Sequence, residues 1–312
     1  MSLIKTAEKK HIISLKDLSP NEMLEIIDRG IEYSDNRVEL GHQLKGKILG
    51  IYFKKTSTRT RTAFSTAALR LGAQIIAYGP NDLQINTGET MEDTLQVLSK
   101  MLDGLVLRTA ESPEILRAFA NQKRMSIVNA MTEDEHPTQA LADLTTIKQH
   151  FGELSGLEII YLGEGNNTTT ALALAIAKIP NMKIRFFTPP NYNIDPILLQ
   201  YAKEEGIRRN TIIEEFHDLK NLPKESDIVY TTRWQTTGTS KLDANWREIF
   251  EPFAVTQELM NKFPNAVFMH DLPAHRGEEV EPGVIDGVKS IVFQQAENKA
   301  HSAKAVLEWC IG

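Results

Sequence analysis

A chain of 312 residues, 41% hydrophobic and 24% charged, has the make-up of a soluble globular protein with two domains of ordinary size. A formal net charge of −6 with no basic block gives no electrostatic reason to expect nucleic acid, and no run of about 18 apolar residues is present to span a bilayer. The chain start lacks the apolar core of a signal peptide and Cys310 is the single cysteine, so no internal disulfide forms and a cytoplasmic enzyme is expected.

In chain order, Ser19-Pro20 opens a helical pattern that predicts a helix over 20–33. Short apolar runs then alternate with longer helical patterns. Strands are expected over 48–53, 74–77, 104–107, 126–129, 158–162, 183–187, 228–231, 266–269 and 290–292. Such alternation implies an α/β protein with parallel sheets flanked by helices. The domain boundary is expected near 151–156, and a last helix over about 297–309 must pack somewhere. Polar residues gather where these strands end, which is where open α/β sheets bind ligands.

The first such gathering is Thr56-Ser57-Thr58-Arg59-Thr60-Arg61, between the strand at 48–53 and a helical run at 62–71. The first backbone N–H groups of a helix have no partner within it, and its dipole favours an anion there. Ser57, Thr58 and Thr60 add hydroxyl donors, and Arg59 adds a planar fork that fits phosphate oxygens. The plainer alternative is a helix cap made by Ser or Thr. Further along, Arg108 ends a strand, where a guanidinium can reach both a phosphate and a carbonyl oxygen. Next comes His136-Pro137-Thr138-Gln139, with Pro137 suited to a first helical turn. His136 and Gln139 can hold a carbonyl that becomes an oxyanion during acyl transfer. Glu133 and His136 also form a Glu-x-x-His pair, but a metal site of that kind needs a second copy, and the sequence has none. Gly163-Glu164-Gly165-Asn166-Asn167 lacks the third glycine of a dinucleotide loop.

Ser57-Thr58-Arg59-Thr60-Arg61 resembles the carbamoyl-phosphate signature of the aspartate/ornithine carbamoyltransferase family. His136-Pro137-Thr138-Gln139, the paired asparagines at 166–167, His270-Asp271-Leu272-Pro273-Ala274-His275-Arg276-Gly277-Glu278-Glu279-Val280 and Gln295-Ala296-Glu297-Asn298-Lys299 are similar to further segments of the family's ornithine branch, in the same order along nearly the whole chain. The resemblance implies a carbamoyl-phosphate domain over 1–150, joined by a terminal helix over 296–312, and an amino-acid domain over 151–295. It implies that Ser57, Thr58, Arg59, Thr60, Gln84, Arg108, His136, Gln139 and Lys299 bind carbamoyl phosphate, with Arg108, His136, Gln139 and Thr60 acting on the carbonyl. Asn167, Thr232, Arg233, Gln235, Asp271 and Leu272 would meet the acceptor. A homotrimer with shared sites is implied, Gln84 reaching across from a loop at 83–89. No metal or organic cofactor is implied.

The acceptor half departs from the ornithine pattern. Thr232 stands where that branch has an aspartate for the α-ammonium, Asp271 replaces a cysteine, and Lys299 replaces an arginine. Thr232-Arg233-Trp234-Gln235 is similar instead to the aspartate branch, whose Arg and Gln hold a carboxylate. The expected reaction is attack of an amine on carbamoyl phosphate, with ornithine or a related diamino acid as acceptor. The leaving phosphate can take the amine proton, so positioning and electrostatics suffice. Competing readings are another acceptor such as aspartate or a simple amine, a carbamoyl-phosphate-binding protein without catalysis, and a metal-dependent hydrolase using His136, His270 and Asp271.

Overall fold

A computed structural model describes residues 9–109, 111–235 and 240–312, so Thr236, Thr237 and Gly238 of the acceptor stretch lie outside the described residues. The strands are β1 (Ile48–Phe53), β2 (Gln74–Tyr78), β3 (Gly104–Arg108), β4 (Ser126–Met131), β5 (Glu158–Leu162), β6 (Lys183–Phe187), β7 (Ile212–Phe216), β8 (Ile228–Thr231) and β9 (Val267–His270). The helices are α1 (Pro20–Ser34), α2 (Arg59–Arg70), α3 (Met91–Leu98), α4 (Glu114–Ala120), α5 (Pro137–Phe151), α6 (Asn167–Ile176), α7 (Pro196–Ile207), α8 (Trp246–Phe250), α9 (Gln257–Lys262), α10 (Pro282–Ile285) and α11 (Val292–Ile311).

Two separate parallel sheets result, in the orders β2-β1-β3-β4 and β7-β6-β5-β8-β9. Their central strands are buried along nearly their whole length, as parallel strands covered by helices on both faces must be. α5 and α6 face each other between the sheets, and Leu141, Leu144 and Ile147 join Ala171, Leu172 and Ile176 in one apolar core. Each such Leu or Ile contributes about 1.5–3 kcal/mol by leaving water. α11 packs against α1, α2 and α5. Among the described residues no helix is long and apolar enough to cross a membrane.

Two expectations about strands are corrected. Residues 290–292 do not form a strand: Ser290 makes a single bridge to Phe268, and α11 begins at Val292. The terminal helix thus starts earlier than the periodicity over 297–309 indicates. Conversely, Ile212-Ile213-Glu214-Glu215-Phe216 is an edge strand that the sequence pattern did not reveal. Glutamate disfavours strands, but here Glu214 pairs with Arg185 across the sheet at 3.0 Å, and Glu215 accepts from the Ile194 N–H at 2.9 Å and the Thr188 hydroxyl at 2.8 Å. Tertiary partners outweigh the local preference.

Candidate active site

The carboxyl ends of both sheets open into one cleft of about 290 Å³. From the first sheet come Ser57, Thr58, Arg59 and Thr60 at the start of α2, Arg108 at the end of β3, and His136 and Gln139 at the start of α5. From the second come Asn167 at the start of α6, Thr232, Arg233 and Gln235 after β8, and Asp271 and Leu272 after β9, while α11 contributes Lys299. Of the site residues expected from the sequence, only Gln84 lies outside this lining. It sits exposed in a turn at Gln84–Thr87, bonded to the Thr87 hydroxyl at 2.8 Å. A larger hollow of about 830 Å³ between α1 and the end of α11 gathers none of these residues.

The start of α2 distinguishes an anion cradle from a plain cap. Ser19, Thr90, Asn166 and Asp195 each cap their own helices with a side-chain oxygen. Thr58, in the same position before α2, makes no such bond. The first-turn N–H groups and the nearby hydroxyls therefore remain available to a ligand. A break in the register between β3 and β4 falls at Leu107/Arg108, a bulge of the kind that re-aims a side chain. Arg108 is 8% exposed, and its Nε, like that of Arg59, has no hydrogen-bond partner among the described residues. Burial, then the neighbouring Arg59 charge, pull the Arg108 pKa down to about 10, with Asp271 opposing. Burial likewise lowers Arg59.

His136 precedes α5, its backbone N–H donating to the Asn167 carbonyl at 3.1 Å across the gap between the sheets. Burial first, then Arg108 and Lys299, hold its pKa well below the ordinary value, so the ring is neutral. Gln139 is fixed at both ends: its Nε2 donates to Asp143 at 2.8 Å, and its Oε1 accepts from Lys299. Its second N–H is left for a ligand. Asp143 is fully buried and also accepts from Tyr230 at 2.9 Å and from Gln295 at 2.7 Å. One carboxylate thus ties α5, β8 and α11 together beneath the cleft. Burial pulls Lys299 down to about 8, while Asp271 raises it and Arg59 lowers it further.

On the opposite side, Asn167 Nδ2 donates to the Thr132 carbonyl at 2.9 Å. The loop before it passes so close to its neighbour that a Cβ on Gly165 would lie 2.2 Å from the Asn193 carbonyl carbon, so only glycine fits. Asp271 accepts from Thr232 Oγ1 at 2.8 Å and from Thr168 Oγ1 at 3.1 Å. Thr168, one residue past the paired asparagines, is a site residue that sequence reasoning missed. His270 was noted only as a candidate metal ligand; here it organises the loop. Its Nδ1 accepts the Leu272 N–H at 2.8 Å and its Nε2 meets buried Glu279 at 3.2 Å. Arg233 lines the cleft with its Nε buried and unpaired among the described residues.

Residues 10–149 match the family model of the aspartate/ornithine carbamoyltransferase carbamoyl-P binding domain, and residues 155–310 match that of the Asp/Orn binding domain. An ornithine carbamoyltransferase of Oceanobacillus iheyensis is 39% identical over 302 residues, 96% of this chain and 93% of the relative. One from Caldicellulosiruptor saccharolyticus is 38% identical over 308 residues, 97% of this chain and 99% of the relative. Among solved structures, the ornithine carbamoyltransferase from Pyrococcus furiosus superimposes with a TM-score of 0.91 at 32% identity, covering 98% of each chain.

Proposed function

We propose, because this chain belongs to the aspartate/ornithine carbamoyltransferase family, that its cleft transfers the carbamoyl group of carbamoyl phosphate to the side-chain amine of ornithine or a closely related diamino acid. The carrying observation is the cluster of Arg59, Arg108 and Lys299 at the uncapped start of α2, with two guanidinium Nε atoms unpaired. Arg108 is a buried cation with an unpaired Nε, which is costly, and a bound dianion relieves that cost. Ser57, Thr58, Arg59, Thr60 and Arg108 hold the phosphate. Arg108, neutral His136, Gln139 and Thr60 face the carbonyl oxygen and stabilise the oxyanion as it forms. Arg233, Gln235, Thr232, Asn167, Asp271 and Leu272 receive the acceptor, Arg233 taking its carboxylate through a bidentate pair.

Packing of α11 on α1, α2 and α5 supports a donor domain of residues 1–150 completed by 296–312, with an acceptor domain of 151–295. The position of Gln84 outside its own cleft supports a trimer in which it serves a neighbour's site. The single cysteine supports a cytoplasmic setting. The test is release of phosphate and ureido product from carbamoyl phosphate with ornithine, shorter diamino acids, putrescine and aspartate, alongside Arg59→Ala. A charge-assisted contact is worth about 1.5–3 kcal/mol, so this variant should bind carbamoyl phosphate at least tenfold more weakly. Binding of carbamoyl phosphate without turnover of any amine marks a binding protein instead.

A further inference from the structure

Two loops bring acceptor contacts to the cleft. Residues 163–167 carry Asn167, and the stretch after β8 carries Arg233 and Gln235. An acceptor held by both loops feels the distance between them, and a misplacement of about 1 Å can cost about a hundredfold in rate. Resting on the carbamoyl-transfer reading, we propose that Lys241 is a positioning residue: from outside the cleft lining it ties the two loops together and so fixes Arg233 relative to Asn167.

Lys241 reaches back along the chain to Glu164, whose carboxylate accepts from its Nζ. The lysine side chain is 4% exposed and the glutamate side chain 15%. An ammonium so far from water needs further partners. Rings supply them: Nζ lies 4.3 Å from the centroid of Tyr192, 4.6 Å from that of Phe250 and 5.5 Å from that of Trp246. Aromatic faces attract a cation, most strongly where water is excluded. A second hollow of about 540 Å³, lined by Lys241, Glu164 and Tyr192, adjoins the cleft at Asn166 and Asn167. The pair borders open space on that side, so the loops have room to part when it is lost.

Each partner of Lys241 leads to an acceptor contact. The Glu164 carbonyl accepts from the Tyr161 hydroxyl at 3.1 Å and from the Asn166 N–H at 3.0 Å, and Gly165 donates to the Tyr192 carbonyl at 2.7 Å. Tyr192 is thus bound to the asparagine loop by its backbone and to Lys241 by its ring. On the other side Phe250 gathers the rings, 4.7 Å from Tyr192, 5.7 Å from Trp246 and 5.6 Å from Trp234. Trp234 is buried, and its indole N–H has no hydrogen-bond partner among the described residues. Packing in this cluster, rather than a hydrogen bond, sets where its ring lies. Its chain neighbours Arg233 and Gln235 line the cleft while Trp234 joins the cluster, so moving the cluster moves Arg233. The donor contacts at the starts of α2 and α5, with Arg108 and Lys299, share no residue with it.

The experiment measures phosphate release at saturating carbamoyl phosphate against the concentration of the amine that the wild type turns over fastest. It compares the wild type, Lys241→Met, Lys241→Arg, Glu164→Gln and the Met/Gln double variant, with calorimetry of carbamoyl phosphate binding. Methionine keeps the reach of lysine and loses the charge. Lys241→Met should raise the acceptor KM about fivefold or more, with kcat changing less than KM and the carbamoyl phosphate Kd within about threefold. Lys241→Arg keeps a cation that stacks on rings and should lie nearer the wild type. Glu164→Gln should raise KM in the same way, and the double variant should fall short of the product of the two effects, because both changes cut one tie. A KM below that rise, a loss carried by kcat, donor binding weakened beyond about threefold, an arginine variant no better than methionine, or a double variant that multiplies the single effects overturns the proposal. If Lys241→Met does not fold, the same KM and Kd limits on Glu164→Gln decide it. A wild type that turns over no amine overturns the carbamoyl-transfer reading itself; an active wild type with unmoved variants overturns the tie alone.

Discussion

Lys299 gives the donor site a titration that an arginine in its place would not have. Residue 299 is lysine, and an ammonium gives up its proton at a lower pH than a guanidinium in the same surroundings. Burial, countered by Asp271 but reinforced by Arg59, brings the Lys299 ammonium down to about 8. At that value it is about one-tenth neutral at pH 7, half neutral at pH 8 and nine-tenths neutral at pH 9. Phosphate dianions have completed their second ionisation, near pH ~6, well below this window. Binding the dianion raises the lysine pKa, so the complex holds more protons than the free protein, and affinity falls as pH rises through 8. Carbamoyl phosphate should therefore bind with uptake of about half a proton at pH 8 and about 0.9 at pH 9, and its Kd should rise about tenfold from pH 7 to pH 9. Calorimetry in buffers of different ionisation enthalpy reads the uptake directly. His136, held well below its ordinary pKa, contributes nothing in this range. Lys299→Arg should keep binding but remove the uptake. A heat independent of buffer with a flat affinity from pH 7 to pH 9, or the same uptake in Lys299→Arg, refutes this account of the site.

The other predictions concern the frame and the assembly. Glu308 of α11 accepts from Arg29 Nε and Nη2 at 2.7 Å and from the Tyr33 hydroxyl at 2.8 Å, fastening α11 to α1. Glu308→Ala should lower stability by about 1–2 kcal/mol, the value for charge-assisted bonds reduced for partial exposure, seen as a lower urea midpoint with carbamoyl phosphate affinity retained. Mixing Arg59→Ala with Gln84→Ala, each strongly impaired alone, should restore some activity after verified subunit exchange; no recovery argues for sites built within single chains.

How much of this was legible in the sequence depended on whether the deciding contact was local. The strand before Thr56, the helix after it and the apolar character of the sheet centres are local, and they were read from periodicity. Whether Thr58 serves its helix or a ligand is not local to the pattern. Thr58 and Ser19 occupy the same position before their helices, yet Ser19 has extended backbone and caps its helix, while the fold holds Thr58 in helical backbone, where its side chain makes no cap bond. The error at 290–292 has the same origin. Ser290-Ile291-Val292 has strand-like residues, but Phe268 offers only one register of bonds there before α11 takes over. The glutamates of β7 hid a strand whose stability comes from Arg185, Thr188 and the Ile194 amide, all distant in sequence.

The acceptor side shows the limit most clearly. In the sequence, threonine at 232 and aspartate at 271 are two unrelated departures from one pattern, 39 residues apart. Read separately, one looks like a lost carboxylate and the other like a gained one. In the fold Thr232 Oγ1 donates to Asp271 Oδ1 at 2.8 Å, so the pair occupies one place and the change is a transfer of the carboxylate between touching loops. That alters the functional inference. A carboxylate lost from the loop after β8 alone would weaken the hold on an ammonium. A carboxylate moved to the loop after β9 keeps the negative charge in the cleft, gives it two threonine donors, and places it where it raises the pKa values of Arg59, Arg108 and Lys299. The departure that made the acceptor hardest to read is therefore one local arrangement, a carboxylate in the cleft lining held by two threonines.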